Sequence, residues 1–343
     1  MTKSQAPARR SLAWLRPDNF TIALMGVVLL ASLLPARGGF APAVDMIGHG
    51  AILLLFFMHG ANLPSETVIA SLGQWKLHLL VLLSTYALFP LVGLALGPLS
   101  GVAIDPVLYT GLLFLCCLPS TVQSSIAFTS IARGNVPVAI CAASASNLFG
   151  IVLTPLLTGL LLANQSAISL DAIWSIVGTI LLPFVAGQLL HSRIGGWIKR
   201  NKPALGLVDR GSVLIMVYAA FGKSVIDGLW QTVSALDLTV LIGFSAVILA
   251  VVMLVLRGVS RAAHLPRGDE VALLFCGSKK SLVTGVPMAS VLFPAATVGA
   301  IVLPLMIFHQ IQLIVCAFIA RHYERRAIAE EAGPAMQLDS GAG

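Results

Sequence analysis

Ten apolar runs, each long enough to cross a lipid bilayer, follow one another along this sequence with only short turns between them. A bilayer-spanning helix needs about 20 mostly apolar residues, so ten such helices use nearly all of the 343 residues. The predicted fold class is therefore an all-α membrane protein with ten transmembrane helices. The spans are predicted at residues 20–36, 43–63, 76–97, 107–132, 136–162, 171–191, 207–226, 234–256, 268–293 and 296–320.

The charged residues support a membrane location and predict an orientation. They make up only 10% of the chain, against about 25% in a soluble domain. Basic residues crowd the loops on the side of the N-terminus, whereas the opposite loops hold Arg37, Lys223 and several acids. Cytoplasmic loops carry the basic excess, so we expect a multi-pass plasma-membrane protein, in a bacterium the inner membrane, with both termini cytoplasmic. The basic residues behind the net charge of +7 are thus explained by membrane topology. Membrane lipid rather than nucleic acid is the predicted partner.

The two halves of the chain carry similar short patterns at the same ordinal span. LLFLC at 112–116 in the fourth span is echoed by LLFC at 273–276 in the ninth. Five spans is an odd number, so the second half would insert upside down, as in many secondary transporters. The predicted organisation is a cytoplasmic segment (1–19), two five-helix repeats (20–162 and 163–320) and a cytoplasmic tail that is predicted to be disordered (321–343).

Polar residues interrupt the fourth and ninth spans where the bilayer is thickest. Pro119 removes a backbone donor and disfavours helix at Leu118, and Gly277 with the neighbouring serines weakens the ninth span. Unwound backbone at this depth is tolerated only inside protein or beside a water-filled cavity, so we expect the two breaks to cross. The fifth span adds three polar residues, for which packing between helices is the alternative to binding. The candidate substrate- and ion-binding residues are Pro119, Ser120, Thr121, Gln123, Ser124, Ser125, Ser144, Ser146, Asn147, Ser278, Lys279, Lys280 and Ser281.

Lys279 and Lys280 are the sharpest feature of the sequence. A charged lysine at the bilayer centre costs about 2.5–3.5 kcal/mol, so a functional site is the favoured interpretation. The alternative is a shifted span that lets both side chains snorkel to the cytoplasmic face. The intramembrane histidines His59 and His309 are candidate proton relays, with a structural hydrogen bond as the alternative. The five cysteines show no metal-ligand spacing, no cofactor is predicted, and no catalytic constellation favours an enzyme.

Two stretches of the chain resemble a known family. LPSTVQSSIAFTSIARGN at 118–135, running on into VPVAICAASASNLFGIVLTPLL, resembles the bile acid:sodium symporter superfamily. FCGSKKSLVTGVP at 275–287 and FFMHGANL at 56–63 are closer to its SBF-like, cation:proton antiporter-related subgroup. The resemblance extends from about Arg16 to Arg326.

The resemblance implies an inverted five-plus-five repeat whose discontinuous fourth and ninth helices cross at mid-membrane. It also implies a core domain (spans 3–5 and 8–10) that moves against a panel (spans 1, 2, 6 and 7). Sodium-coupled relatives hold the ion with hydroxyl, amide and carbonyl oxygens, here Ser124, Ser125, Ser144, Asn147 and the backbone near Gln123. They place an acid and a glutamine in the ninth helix, where this chain has lysines, so Na⁺ and H⁺ both remain candidate coupling ions.

Three hypotheses follow. The leading one is a secondary active transporter, a symporter of a bile-acid-like organic anion, that works by alternating access at the crossing. The second is a cation/proton antiporter with Lys279 or Lys280 as the titrating group. The third is a regulatory membrane protein that transports nothing. The oligomeric state is left open.

Overall fold

The computed structural model describes residues 19–62, 74–162 and 177–338, and within these ranges the protein is helical. One isolated bridge between Ser100 and Ile104 is the extent of β-structure there. The described ranges contain six helices long and apolar enough to cross a membrane, or seven if one bent pair counts as a single span. The prediction of a helical, multi-pass membrane protein is therefore confirmed. This number is smaller than the predicted ten partly because the helices Asn19–Leu33, Arg267–Gly277 and Leu282–Leu292 have only 11 to 15 residues.

Fourteen α-helices make up the described chain. There are also two π-helical turns. Ser84–Leu88 lies directly before the helix that begins at Phe89, and Val177–Leu181 lies directly before the helix that begins at Leu182. The α-helices are α1 (Asn19–Leu33), α2 (Ala41–Asn62), α3 (Trp75–Leu83), α4 (Phe89–Ala95), α5 (Pro106–Cys117), α6 (Val122–Ile131), α7 (Val136–Leu162), α8 (Leu182–Arg200), α9 (Lys202–Ile226), α10 (Leu229–Thr232), α11 (Ala235–Ala262), α12 (Arg267–Gly277), α13 (Leu282–Leu292) and α14 (Val298–Leu338).

The helix starts follow from local sequence. Asp105 caps α5, and its carboxylate accepts from the backbone N–H groups of Val107 and Leu108 at 2.8 and 3.3 Å. Ser234 and Asp237 form a reciprocal capping box at α11. Each cap satisfies backbone donors that the first turn of a helix leaves free.

Two helices end inside the apolar layer and restart after four residues. The chain bends by 63° between α5 and α6, at residues 118–121, where Pro119 cannot continue the helix. A second break, residues 278–281, separates α12 from α13. Both breaks lie where the sequence predicts them.

The helices pack in two groups. Helix α9 contacts α1, α2 and α8, and α2 also contacts α8, whereas α5, α6, α7, α12, α13 and α14 surround the two breaks. Gly60 of α2 and Gly187 of α8 have no space for a Cβ, because each faces backbone of the other helix. Such close approach is how small residues pack membrane helices together. Helix α9 joins the groups through contacts with α13 and α14.

The outer surface is apolar, as a lipid-facing surface should be. Leu33, Leu189 and Leu254 are 70%, 75% and 69% exposed. Large apolar side chains exposed on apolar helices are what a surface that faces lipid requires.

The C-terminal segment differs from the prediction of a disordered tail after residue 320. Helix α14 continues to Leu338. Arg321 and Glu324 approach to 3.8 Å one turn apart, an arrangement that supports a helix, and the Tyr323 hydroxyl donates to Glu270 at 2.7 Å. The predicted segment 1–19, apart from Asn19, and the predicted start of the second half at 163 lie outside the described residues.

Candidate functional site

The two breaks lie against each other at the centre of the protein. The Ser281 backbone N–H donates to the Pro119 carbonyl at 2.8 Å, and the Thr121 hydroxyl donates to the Lys280 carbonyl at 2.9 Å. Four half-helix ends therefore converge at one point. Their backbone groups are desolvated, so each needs a partner from within the protein.

Serine hydroxyls satisfy the carbonyl end of α12. Ser120 donates to the Cys276 carbonyl at 2.5 Å and Ser125 donates to the Phe275 carbonyl at 3.0 Å. Ser84, at the start of the π-turn, donates to the Gly277 carbonyl at 2.7 Å. The last three carbonyls of α12 are thus bonded across the crossing, in place of the next helical turn that the break removes.

The carbonyl end of α5 is satisfied by an ammonium group. Lys280 is completely buried, and its Nζ donates to the carbonyls of Cys116, Leu118 and Thr85, each at 2.7 Å. All three donors of the ammonium are therefore used. The Thr154 hydroxyl bonds the remaining carbonyl, that of Cys117, at 2.8 Å. Positive charge at a helix C-terminus is favourable because the carbonyls there carry partial negative charge.

The π-turn explains why the Thr85 carbonyl is free to accept. The Phe89 N–H bonds to the Ser84 carbonyl, and the next residue, Pro90, has no N–H to offer. Lys280 supplies the missing donor. The Phe89 ring lies over the same ammonium, with its centre 4.1 Å from Nζ, a distance suited to a cation–π interaction.

Lys279 has very different surroundings. It is also completely buried, so neither lysine snorkels to a membrane surface, and that alternative is wrong. Its Nζ has no hydrogen-bond partner among the described residues. The ammonium lies 3.9 Å from the ring centre of Phe128 and 5.7 Å from that of Phe275. The Lys279 ammonium is thus surrounded by two aromatic rings, whereas the Lys280 ammonium is surrounded by three carbonyls.

Gln312 and His309 hold the second break from the side of α14. The Lys280 N–H donates to Gln312 Oε1 at 2.9 Å, and Gln312 Nε2 donates back to the Lys280 carbonyl at 3.0 Å. His309 Nδ1 lies 2.9 Å from the same Nε2. This geometry places His309 in a hydrogen-bond network that fixes the backbone of Lys280.

The polar residues of α7 fasten the first break. Asn147 Nδ2 donates to the Ser120 carbonyl at 2.6 Å, and its Oδ1 accepts from the Thr284 hydroxyl at 3.1 Å. Ser146 Oγ accepts from the Ser120 N–H at 3.1 Å. Asn147 therefore links the break to α13 as well as lining the cavity described next.

A cavity of about 470 Å³ lies beside the crossing, between the two helix groups. This volume is in the range of small-molecule sites. Apolar side chains including Phe56, Ile151 and Phe184 form much of its wall. Its polar lining residues are His59, Gln123, Ser144, Asn147, Asp209 and Thr284.

The predicted site residues thus divide between two places. His59, Gln123, Ser144 and Asn147 line the cavity, whereas both lysines lie behind it. The hydroxyls of Ser124 and Ser278 are buried without a hydrogen-bond partner among the described residues. The predicted site residues at or beside the crossing are Pro119, Ser120, Thr121, Ser124, Ser125, Ser146, Ser278, Lys279, Lys280, Ser281 and His309.

The oxygens implied for sodium only partly fit a bound ion. Ser124 Oγ is unpartnered, but Ser125 donates to a carbonyl and Asn147 already accepts from Thr284. The carbonyl group at the end of α5 is occupied by the Lys280 ammonium. No cluster of three His, Cys, Asp or Glu side chains suited to a metal ion occurs in the part of the chain that the structure describes.

Two polar lining residues, Asp209 and Thr284, were not among the predicted site residues. Asp209 had a recognisable signal, because it is a carboxylate inside the predicted seventh span and such residues are functional candidates by default. Thr284 had none, because a threonine in an apolar run is ordinary and only the tertiary structure turns it toward Asn147.

Comparison with known proteins places the chain in a family. The model of the SBF-like CPA transporter family matches residues 18–325, which confirms the resemblance seen in the motifs. The chain is 49% identical over 310 residues to a protein named Putative symporter YfeH from Escherichia coli K12, covering 90% of this chain and 93% of that protein. It is 53% identical over 312 residues to Uncharacterized protein PA2026 of Pseudomonas aeruginosa, covering 90% and 94%. It is 30% identical over 307 residues to Sodium/bile acid cotransporter 7-B of Xenopus laevis, covering 88% and 90%.

Proposed function

The chain belongs to the SBF-like CPA transporter family, and from this membership we propose that it is a secondary active transporter of a small organic anion. The observation that carries the proposal is the pair of hydrogen-bonded breaks beside a cavity of about 470 Å³. Crossed, broken helices next to a midplane cavity are the usual substrate site of secondary transporters. The names of the relatives agree with transport, since one is called a symporter and another a sodium/bile acid cotransporter.

The preference for an anion rests on the helix that faces the cavity. Helix α6 begins at Val122, and its N-cap residue Thr121 makes no side-chain capping bond. Gln123, in the same first turn, lines the cavity. The free N–H groups and the positive end of the helix dipole favour a negatively charged group there.

The proposed transport mechanism is alternating access within a ten-span inverted repeat. In this proposal α5 with α6 forms the fourth span, α12 with α13 forms the ninth, and the chain divides into repeats at 20–162 and 163–320. The group α1, α2, α8 and α9 would rock against the helices around the crossing, with both termini cytoplasmic in a bacterial inner membrane. Support comes from the separate packing of the two groups and from the cavity between them.

The test is uptake of labelled taurocholate by proteoliposomes that contain the purified protein. We expect uptake above that of empty liposomes, and a reduced rate for Gln123→Ala, which alters the cavity wall. Leu189→Ala, on the lipid-facing side of α8, is the matched control and should transport like the original protein. Absence of uptake for taurocholate and for smaller organic acids, under Na⁺, K⁺ and pH gradients alike, would refute the proposal.

The buried lysines favour a second candidate, proton coupling. Lys279 lacks hydrogen-bond partners among the described residues, whereas Lys280 has three carbonyls. A buried ammonium that has no hydrogen-bond acceptor is poorly compensated, so Lys279 is the proposed proton carrier. Uptake should then follow a pH gradient in the original protein and become independent of it in Lys279→Met. A pH response that persists in this variant would exclude the role.

A further inference from the structure

The cavity carries a negative charge that an anionic substrate does not explain. Among the residues that the structure describes, the ionisable ones in its lining are His59 and Asp209, with no lysine or arginine. Both buried lysines are separated from it by the wall. The carboxyl group of Asp209 is therefore the acidic group that the described lining presents to a ligand.

Asp209 lines the cavity from α9. It lies within the apolar segment Pro203–Ile226 and is partly buried. Among the described residues, no basic side chain comes within ion-pair distance of it and no hydrogen bond reaches its carboxylate. A carboxylate at membrane depth is costly unless it is paired or faces a ligand pathway. Leu205 and Gly206, one helical turn before it, line the same cavity, so this side of α9 faces the ligand space.

We propose that Asp209 is a binding site for a monovalent cationic group that occupies the cavity together with the anionic group at the start of α6. The cationic group has two sources, a free monovalent cation that enters with the substrate or an ammonium group on the substrate itself. In both cases the ligands in the cavity are close to neutral overall, which reduces the cost of carrying charge across the bilayer. The inference rests on the proposed function only for the identity of the anion.

Asp209 lies on a different helix group from the oxygens that the family resemblance implies for sodium, although Ser144 and Asn147 line the same cavity. Ser124, Ser125 and Asn147 belong to α6 and α7, whereas Asp209 belongs to α9 in the other helix group. A cation bound by Asp209 and an anion bound at α6 would bridge the two groups. Binding of both would therefore be coupled to the relative motion of the groups.

The experiment measures cation binding directly, without transport. The purified full-length protein is tested for saturable binding of radioactive Na⁺ and, separately, of labelled methylammonium, which represents a substrate ammonium. The original protein should bind at least one probe, Asp209→Asn should lose about tenfold or more in affinity for it, and Asp209→Glu should retain most of the affinity. Asp227→Asn, an exposed aspartate that follows the other end of α9, is the matched control.

The outcomes are distinct. Na⁺ binding that depends on Asp209 identifies a free cation, and methylammonium binding alone identifies a substrate ammonium; both support the site. Unchanged binding in a correctly folded Asp209→Asn, binding lost in Ser124→Ala but not in Asp209→Asn, or no binding of either probe by the original protein would overturn it. Failure of taurocholate uptake with Asp209-dependent binding intact would refute the proposed substrate and leave the cation site standing.

Discussion

Helices α5 and α12 both end at the crossing, but the last carbonyls of each helix receive their hydrogen bonds from different chemical groups. At the end of α12, three serine hydroxyls from the first half of the chain donate hydrogen bonds to the last three carbonyls. At the end of α5, the Lys280 ammonium donates to the carbonyls of Cys116 and Leu118, and also to the Thr85 carbonyl of the π-turn. A hydroxyl leaves its helix end neutral, whereas Lys280 adds a positive charge to the middle of the membrane. Satisfying the end of a broken helix therefore does not require a charge.

The largest effect is expected at Lys280. Lys280→Met keeps an apolar side chain of similar length but leaves three buried carbonyls without a donor. Breaking a buried charge network by removing one partner costs about 3–5 kcal/mol, so we expect a marked fall in the thermal unfolding temperature of the purified protein. Lys76→Met, at an exposed lysine in the first turn of α3, should leave it unchanged. An undiminished unfolding temperature in Lys280→Met would show that water or rearrangement replaces the ammonium.

An intermediate effect is expected at the hydroxyl-capped end. Ser120→Ala removes one neutral hydrogen bond to the Cys276 carbonyl, and a buried group left unsatisfied costs about 1–3 kcal/mol. Thr129→Val is the matched control, because the Thr129 hydroxyl is buried without a partner among the described residues, so its loss should be neutral or stabilising. Equal destabilisation by the two substitutions would mean that volume, not hydrogen bonding, governs stability there.

The smallest effect on stability is expected at Lys279. Lys279→Met removes an ammonium that has two aromatic rings but no hydrogen-bond acceptor. Replacing a poorly compensated buried charge by an apolar group is often neutral or stabilising, so the unfolding free energy should change by no more than about 1 kcal/mol. Chemical denaturation in detergent measures this. A loss as large as that of Lys280→Met would show that the two lysines share one structural role.

Much of the site was predictable because breaks leave strong local signals. Pro119 and the serines after Gly277 interrupt otherwise apolar spans, and the structure has its two breaks at these positions. That two adjacent lysines cannot face lipid also follows from composition alone. The different surroundings of the two lysines were not predictable, because each side chain contacts groups more than 100 residues away in the sequence. Lys280 bonds the Cys116 carbonyl, and Lys279 lies over the Phe128 ring.

The tail and the cavity show where sequence reasoning was weaker. Helix α14 continues past residue 320 because Tyr323 and Arg267 anchor it to α12, through the Tyr323 hydroxyl and carbonyl respectively. Asp209 stands four residues from Leu205, which is a helical spacing, but only the packing of α9 shows that this face borders the cavity.

The sequence by itself determined that this chain is a helical membrane protein, which spans are interrupted and which family it belongs to. These properties depend on local hydropathy, on backbone donors that proline lacks, and on short motifs, so they can be read along the chain. The tertiary structure alone decided which lysine is bonded, which is not, and that a carboxylate faces the cavity. Those properties depend on which carbonyls, rings and empty spaces distant helices bring together, and pairwise distances across the fold are not encoded in any local pattern.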